Sequence, residues 1–205
     1  TGLRASYKLD KVHASTTSHM QKVDLVDLHP FGTTLLIDGL VQSSQLDEHV
    51  YHESLVHPAM LMHTRPTTVY IGGGGEGSTA REVLRHASVE RCVMVDIDAD
   101  VVRFCRDHLT ENAAAFADPR LDLRIDDARA VLEKSPDVKY DVIIMDLDDP
   151  LEGGPCYQLY TVEFYQMCLR KLNPGGVFVT QSGQAGLTRH HLVWSPVHAT
   201  LRQVF

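Results

Sequence analysis

The sequence predicts an α/β fold: a doubly wound, mostly parallel sheet preceded by a small β unit. Three observations carry that expectation. Short β-rich apolar runs alternate with helical segments, a glycine run from Gly72 to Gly77 falls where the first main strand should turn into a helix, and an acid, Asp96, closes the next apolar run. Strand, glycine turn, helix and a terminal acid on the second strand together make the sheet Rossmann-like.

In chain order, residues 21 to 45 read as strand, turn, strand. Val23, Leu25 and Leu28 roughly alternate, Leu35 to Ile37 follow, and Asp38-Gly39 is a hairpin-turn pair. From Asp47, read as an N-cap, Tyr51, Leu55 and Val56 fall at helical spacing, with Pro58 expected to end or kink the helix. Strands are then expected at Thr68 to Ile71, Cys92 to Val95, Leu121 to Ile125, Val142 to Met145 and Val177 to Thr180. Helices are expected to begin near Ser78, Asp98, Ala128 and Thr161. This divides the chain into residues 1–46, a β appendage, and 47–205, the main domain.

Composition narrows the function classes. With 205 residues, 43% of them hydrophobic, the chain can bury one sizeable core. No stretch approaches the roughly 20 apolar residues of a membrane span, and the N-terminal region lacks the order of a signal peptide, so a cytoplasmic protein is expected. Cys92, Cys105, Cys156 and Cys168 are too dispersed for a C-x-x-C pair or a disulfide framework. A formal net charge of −8 disfavours nucleic acid and suits a small cation, although acidity alone also serves solubility.

The glycine run, Tyr70 to Ser78, lets backbone approach a ligand at the carboxyl end of a strand; alone it also fits a plain tight turn. Asp96, about 20 residues further on, supplies the second feature, an acceptor for both ribose hydroxyls of an adenosine ligand. Asp127, at the end of the third strand, fits two readings: acceptor for an adenine amine, or helix N-cap. After the fourth strand, Asp146, Asp148 and Asp149 crowd the ligand-binding rim, which costs energy unless a cation neutralises them. The alternative for that loop is a turn whose aspartates bond local backbone, with Asp149-Pro150 as its turn pair.

Several separated motifs resemble the spermidine synthase family over Gln21 to Leu187. Leu36-Ile37-Asp38-Gly39-Leu40-Val41-Gln42 with Asp47 to Glu53 is similar to the family's N-terminal hairpin and Y-[HQ]-E helix. Gly73-Gly74-Gly75-Glu76-Gly77 with Arg81-Glu82-Val83 resembles its G-G-G-[DE]-G and R-E-[VL] signature. Glu76-Gly77-Ser78 and the run from Asp146-Leu147-Asp148-Asp149-Pro150 through Gly153-Gly154-Pro155-Cys156-Tyr157 to Thr161 resemble the family's thermospermine-forming branch. Met20 stands where members often carry Tyr, and the resemblance implies two further strands after Phe205.

The resemblance implies an aminopropyltransferase taking decarboxylated S-adenosylmethionine as donor and spermidine, or alternatively putrescine, as acceptor, with no prosthetic group and no metal. Gln21, Gln42, His52, Gly73, Gly75, Glu76, Asp96, Ile97, Asp127 and Ala128 are implied to hold the donor. Tyr51, Asp146, Asp149 and Gln181 are implied to face the reacting carbon and the acceptor amine, with Asp146 and Tyr51 catalytic. A homodimer or homotetramer built partly through the β appendage is implied as well.

Competing readings are a methyltransferase on the same fold, a nicotinamide dehydrogenase and a non-catalytic relative. Glu76 and the acidic loop count against the first, the absence of a clean G-x-G-x-x-G against the second, and Asp146 with Tyr51 against the third. His52 and His57 superficially suggest zinc, but a spacing of five places them on different helix faces.

Overall fold

The computed structural model describes residues 6–135, 138–150, 154, 156–186 and 191–205; Leu151 to Gly153 and Pro155 of the acidic run, and Leu187 at the end of the resemblance, lie outside them. Strands β1 (Lys8–Thr17), β2 (Lys22–His29), β3 (Gly32–Ile37) and β4 (Leu40–Ser44) form an antiparallel sheet in that order. The strand, turn, strand reading of residues 21 to 45 is thereby corrected, since three strands occupy that span and another precedes it. The Asp38-Gly39 turn forms, both residues at positive φ, between β3 and β4. Strand β1 escapes the sequence pattern because register shifts near Lys11 and His13 break its alternation and most of its side chains face water.

Helix α1 (Glu48–Met62) brings two further corrections. Asp47 makes no side-chain cap; its carboxylate accepts from the Ser44 hydroxyl at 2.7 Å instead. Pro58 does not end the helix, which runs on to Met62. An interior proline costs about 3 kcal/mol or more. Leu55, Val56 and Met60 are buried around it, and at roughly 1.5–3 kcal/mol each their burial outweighs that cost.

The remaining elements alternate as expected: β5 (Thr68–Gly73), α2 (Ser78–Leu84), β6 (Arg91–Asp96), α3 (Ala99–His108), α4 (Ala113–Phe116), β7 (Leu121–Ile125), α5 (Ala128–Glu133), β8 (Tyr140–Asp146), α6 (Val162–Lys171), β9 (Leu172–Thr180) and α7 (Trp194–Leu201). The five strands are parallel in the order β7-β6-β5-β8-β9. Their period-two pattern builds a core on each face. Tyr70, Val93, Val95, Ile143 and Met145 point toward α5, α6 and α7, whereas Val69, Ile71, Cys92, Met94, Val142 and Ile144 point toward α1 and α2. The antiparallel sheet docks through Val23, Leu25 and Leu35 onto Val101, Phe104 and Cys105 of α3, which holds β2 to β4 over the parallel strands' carboxyl ends.

Strand order reverses between β5 and β8, so their carboxyl ends flank a crevice where open α/β sheets bind ligands. Register sets Gly73 opposite Asp146 there. Among the described residues no helix is long and apolar enough to cross a membrane.

Candidate active site

A cavity of about 600 Å3 opens at this crevice, within the range of small-molecule sites. All fourteen residues singled out from the sequence line it: Gln21, Gln42, Tyr51, His52, Gly73, Gly75, Glu76, Asp96, Ile97, Asp127, Ala128, Asp146, Asp149 and Gln181.

The glycine wall is made by contacts that only glycine permits. Gly73 has φ +81°, and a Cβ on it would collide with the Asp146 carbonyl oxygen. A Cβ on Gly75 would stand 2.6 Å from Asp96 Oδ2, the oxygen that accepts the Gly75 N–H at 2.8 Å. The Asp98 N–H donates to Asp96 Oδ1 at 2.8 Å. Burial nevertheless outweighs these two donors and raises the Asp96 carboxyl to about 6. Asp98 caps α3, and its Oδ2 accepts from the Ser18 hydroxyl (2.8 Å) and Gln21 Nε2 (3.1 Å), tying the antiparallel sheet to the site. Asp127 does act as a cap, its Oδ1 accepting from the Ala130 N–H at 3.0 Å, while the residue also lines the cavity.

Asp146 joins the two walls. Its backbone oxygen accepts the Gly74 N–H at 3.1 Å, the Tyr51 hydroxyl donates to Oδ1 at 2.7 Å, and the Thr79 hydroxyl donates to Oδ2 at 2.6 Å. Desolvation and the Asp146 charge push the Tyr51 phenol far above its ordinary range, so Tyr51 serves as a neutral donor. Asp149 bonds Gln181 Nε2 at 2.9 Å rather than local backbone, and the Gln181 N–H donates to Met145 O at 3.0 Å. Burial, then the charges of Asp146 and Asp149, raise Asp148.

Glu76 is 7% exposed, and its Oε1 has no hydrogen-bond partner among the described residues. Burial and the Asp146 charge push its carboxyl up, against His52, whose Nε2 stands 3.4 Å away. Burial pulls His52 down, but the Glu48 hydrogen bond and the charges of Glu76 and Asp146 prevail and raise it to about 9. An acceptor with free lone pairs, in a cavity rimmed by carboxylates, suits an ammonium or sulfonium ligand.

His52 and His57 do diverge: His57 faces Glu82 and His86 on the other side of α1. Glu48, His52 and Glu76 converge closely enough for a cation, as do Glu53, His57 and Glu82. In the first group Arg81 engages both Glu48 oxygens, and in the second Arg81 and Arg85 each take one Glu82 oxygen. Cationic side chains thus already fill both groups.

Sequence reasoning missed Thr79, Asn112, Glu48 and the bonding role of Asp98. Asn112 Nδ2, fully buried, donates to Glu76 O at 2.9 Å and so fixes the loop from 36 residues away. Glu48, inside the run Asp47 to Glu53, and its partner Arg81, inside the R-E-[VL] motif, did carry a sequence signal.

A parallel sheet with the 3-2-1-4-5 strand order, a glycine loop and acids at its switch point defines the class: a Rossmann-like protein with a small-molecule-sized cavity at that point. Residues 48–205 match the family described as Spermine/spermidine synthase domain. Over 204 residues the chain is 52% identical to thermospermine synthase ACAULIS5 of Arabidopsis thaliana, covering 99% of this chain and 60% of that protein. It is 46% identical over 205 residues to a polyamine aminopropyltransferase of Aeropyrum pernix, covering 98% and 64%. A crystal structure of spermidine synthase in complex with the transition state analogue AdoDATO superposes with a TM-score of 0.91 at 33% identity, over 97% of this chain and 67% of that one. The chain therefore belongs to the spermine/spermidine synthase family, and it spans less than two thirds of the length of the two relatives named here.

Proposed function

We propose that the protein transfers the aminopropyl group of decarboxylated S-adenosylmethionine to spermidine, giving thermospermine and 5'-methylthioadenosine. The observation that carries this reading is Asp146, held at the switch point by Tyr51 and Thr79 in the same cavity as a Glu76 oxygen to which no described residue hydrogen-bonds. In this reading Asp96 accepts the ribose hydroxyls, and Asp127, Ala128, Ile97, Gln21 and Gln42 surround the nucleoside. Glu76, with His52 beside it, takes the ammonium end.

The acceptor's neutral nitrogen forms a bond to the methylene beside the sulfonium. The carbon–sulfur bond breaks, its electron pair returns to sulfur as a neutral thioether, and the new ammonium passes its extra proton to Asp146. Sulfur is already a good leaving group, so positioning by Tyr51, Asp146, Asp149 and Gln181 supplies the acceleration. No step calls on a metal or a covalent intermediate.

Carboxylates also choose the donor. Intact S-adenosylmethionine carries a carboxylate that Glu76 and Asp146 repel; one charge pair at about 4 Å and an effective dielectric of 20 is worth roughly 4 kcal/mol at the upper end. Identity to a thermospermine synthase supports spermidine as acceptor. We assign the chemistry to residues 47–205, with 1–46 closing the nucleoside side, in a cytoplasmic homodimer or homotetramer. The four free cysteines fit a reducing compartment.

Chromatography with mass spectrometry of products from decarboxylated donor plus each amine tests this. Thermospermine from spermidine is expected. Spermidine from putrescine alone would transfer the assignment to spermidine synthesis, and methylated products from intact S-adenosylmethionine would overturn it.

A further inference from the structure

Arg81 and Glu48 do not line the cavity, yet they bear on it through His52. Arg81 Nη2 donates to both Glu48 oxygens at 2.9 Å, while its Nε and Nη1 are held by Glu82 (2.9 Å) and by Asn112 Oδ1 (2.8 Å). His52 Nδ1 lies 2.7 Å from the Glu48 backbone oxygen and 2.8 Å from Glu48 Oε2. A peptide oxygen and an ionised carboxylate only accept, so this nitrogen carries hydrogen. Nε2 then faces Glu76 Oε1 at 3.4 Å. In a neutral imidazole that nitrogen would present a lone pair to a carboxylate oxygen, a repulsive arrangement in a buried space; one further proton relieves it.

We propose that Arg81 and Glu48 are positioning residues that hold His52 as an imidazolium against Glu76, keeping Glu76 a carboxylate able to receive an ammonium. This rests on the aminopropyl-transfer reading for the identity of the cation. The chain of charges alternates: Arg81 positive, Glu48 negative, His52 positive, Glu76 negative. Burial pushes Glu48 up, but hydrogen bonds from His52 and Arg81 bring it down to about 2, so Glu48 leaves the proton on the imidazole. Asp146 on β8 faces the pair as well, favouring the His52 charge and opposing that of Glu76; the Tyr51 ring packs edge-on against the imidazole at 4.9 Å; and Ser43 and Ser78 hydroxyls face Glu76.

Glu48→Gln tests this, because it keeps the acceptor for Nδ1 and removes the charge. In the ligand-free protein the His52 ring, followed by NMR, should titrate at least one pH unit lower in the variant. Calorimetric affinity for decarboxylated S-adenosylmethionine near pH 8 should fall about tenfold, with kcat at saturating donor changed less than about twofold. In a His52→Gln background, Glu48→Gln should add nothing, since the relay has lost its middle. Arg81→Gln should lower the His52 titration likewise, and Arg81→Lys should restore part of it. An unchanged His52 titration, or an affinity loss that persists at full size in the His52→Gln background, would overturn the proposal. The titration needs no ligand: a wild-type protein that ignores the donor while the His52 shift is present defeats the aminopropyl reading and leaves the positioning role standing.

Discussion

The glycine-loop wall of the cavity fixes its acids through the backbone, with Glu76 buried and Asp96 half-buried, whereas the wall after β8 leaves Asp149 exposed and Asp148 half-buried. On the first wall Asp96 is held by two backbone N–H groups, and Glu76 is held through its backbone by Asn112. On the second, Asp149 is held by a side chain, Gln181, whose own amide oxygen accepts from the Gly183 N–H. Under the proposed reaction the contrast is functional. A wall that recognises a permanent cation benefits from fixed charge, while a wall that must pass a proton to solvent needs access to it.

The comparison breaks first at Asp146, which belongs to both walls. Asp146→Asn is expected to lower turnover by about 10²–10⁴-fold while donor affinity changes only a few-fold; single-turnover kinetics beside calorimetry separates the two. An unimpaired rate would remove Asp146 from the chemistry. Glu76→Gln should do the converse, weakening donor binding by roughly 30- to 1000-fold with a smaller loss in kcat, and narrowing the preference over intact S-adenosylmethionine. Tyr51→Phe removes a hydrogen bond to a charged group, worth about 1.5–3 kcal/mol, and should slow turnover about ten- to a hundredfold. A rate near wild type would return Tyr51 to a packing role.

The smallest effect is a pH dependence confined to the glycine-loop wall. Burial raises the Asp96 carboxyl to about 6 in the fold, against an ordinary 3.8. Its contribution to stability is therefore fully present below about pH 3.8 and is lost as pH rises through about 6. A ribose diol needs the ionised form as acceptor, so binding runs against that trend. Affinity for 5'-methylthioadenosine should fall up to about tenfold per unit below pH 6, and Asp96→Asn should flatten the profile.

Much of the frame was legible because the central strands β5, β6 and β8 are buried on both faces and read as continuous apolar runs ending in acids or glycine. Asp96 and Asp146 were found for that reason: each is the last residue of its strand. What stayed hidden depends on contacts between distant segments. Gln21 meets Asp98 across 77 positions, Tyr51 meets Asp146 across 95, and Thr79 meets Asp146 across 67. The Tyr51 and Gln21 assignments came from motif resemblance, not from spacing, and Thr79 had neither. Pro58 misled because local propensity was weighed without the tertiary burial around it.

Asp146 lends its main chain to the glycine loop and its carboxylate to the center of the cavity, so one backbone unit sets the geometry of two half-sites. Inserting a single residue between Gly72 and Gly75 would carry the cradle away from the very atom against which it is measured, and recognition and chemistry would fall out of step together.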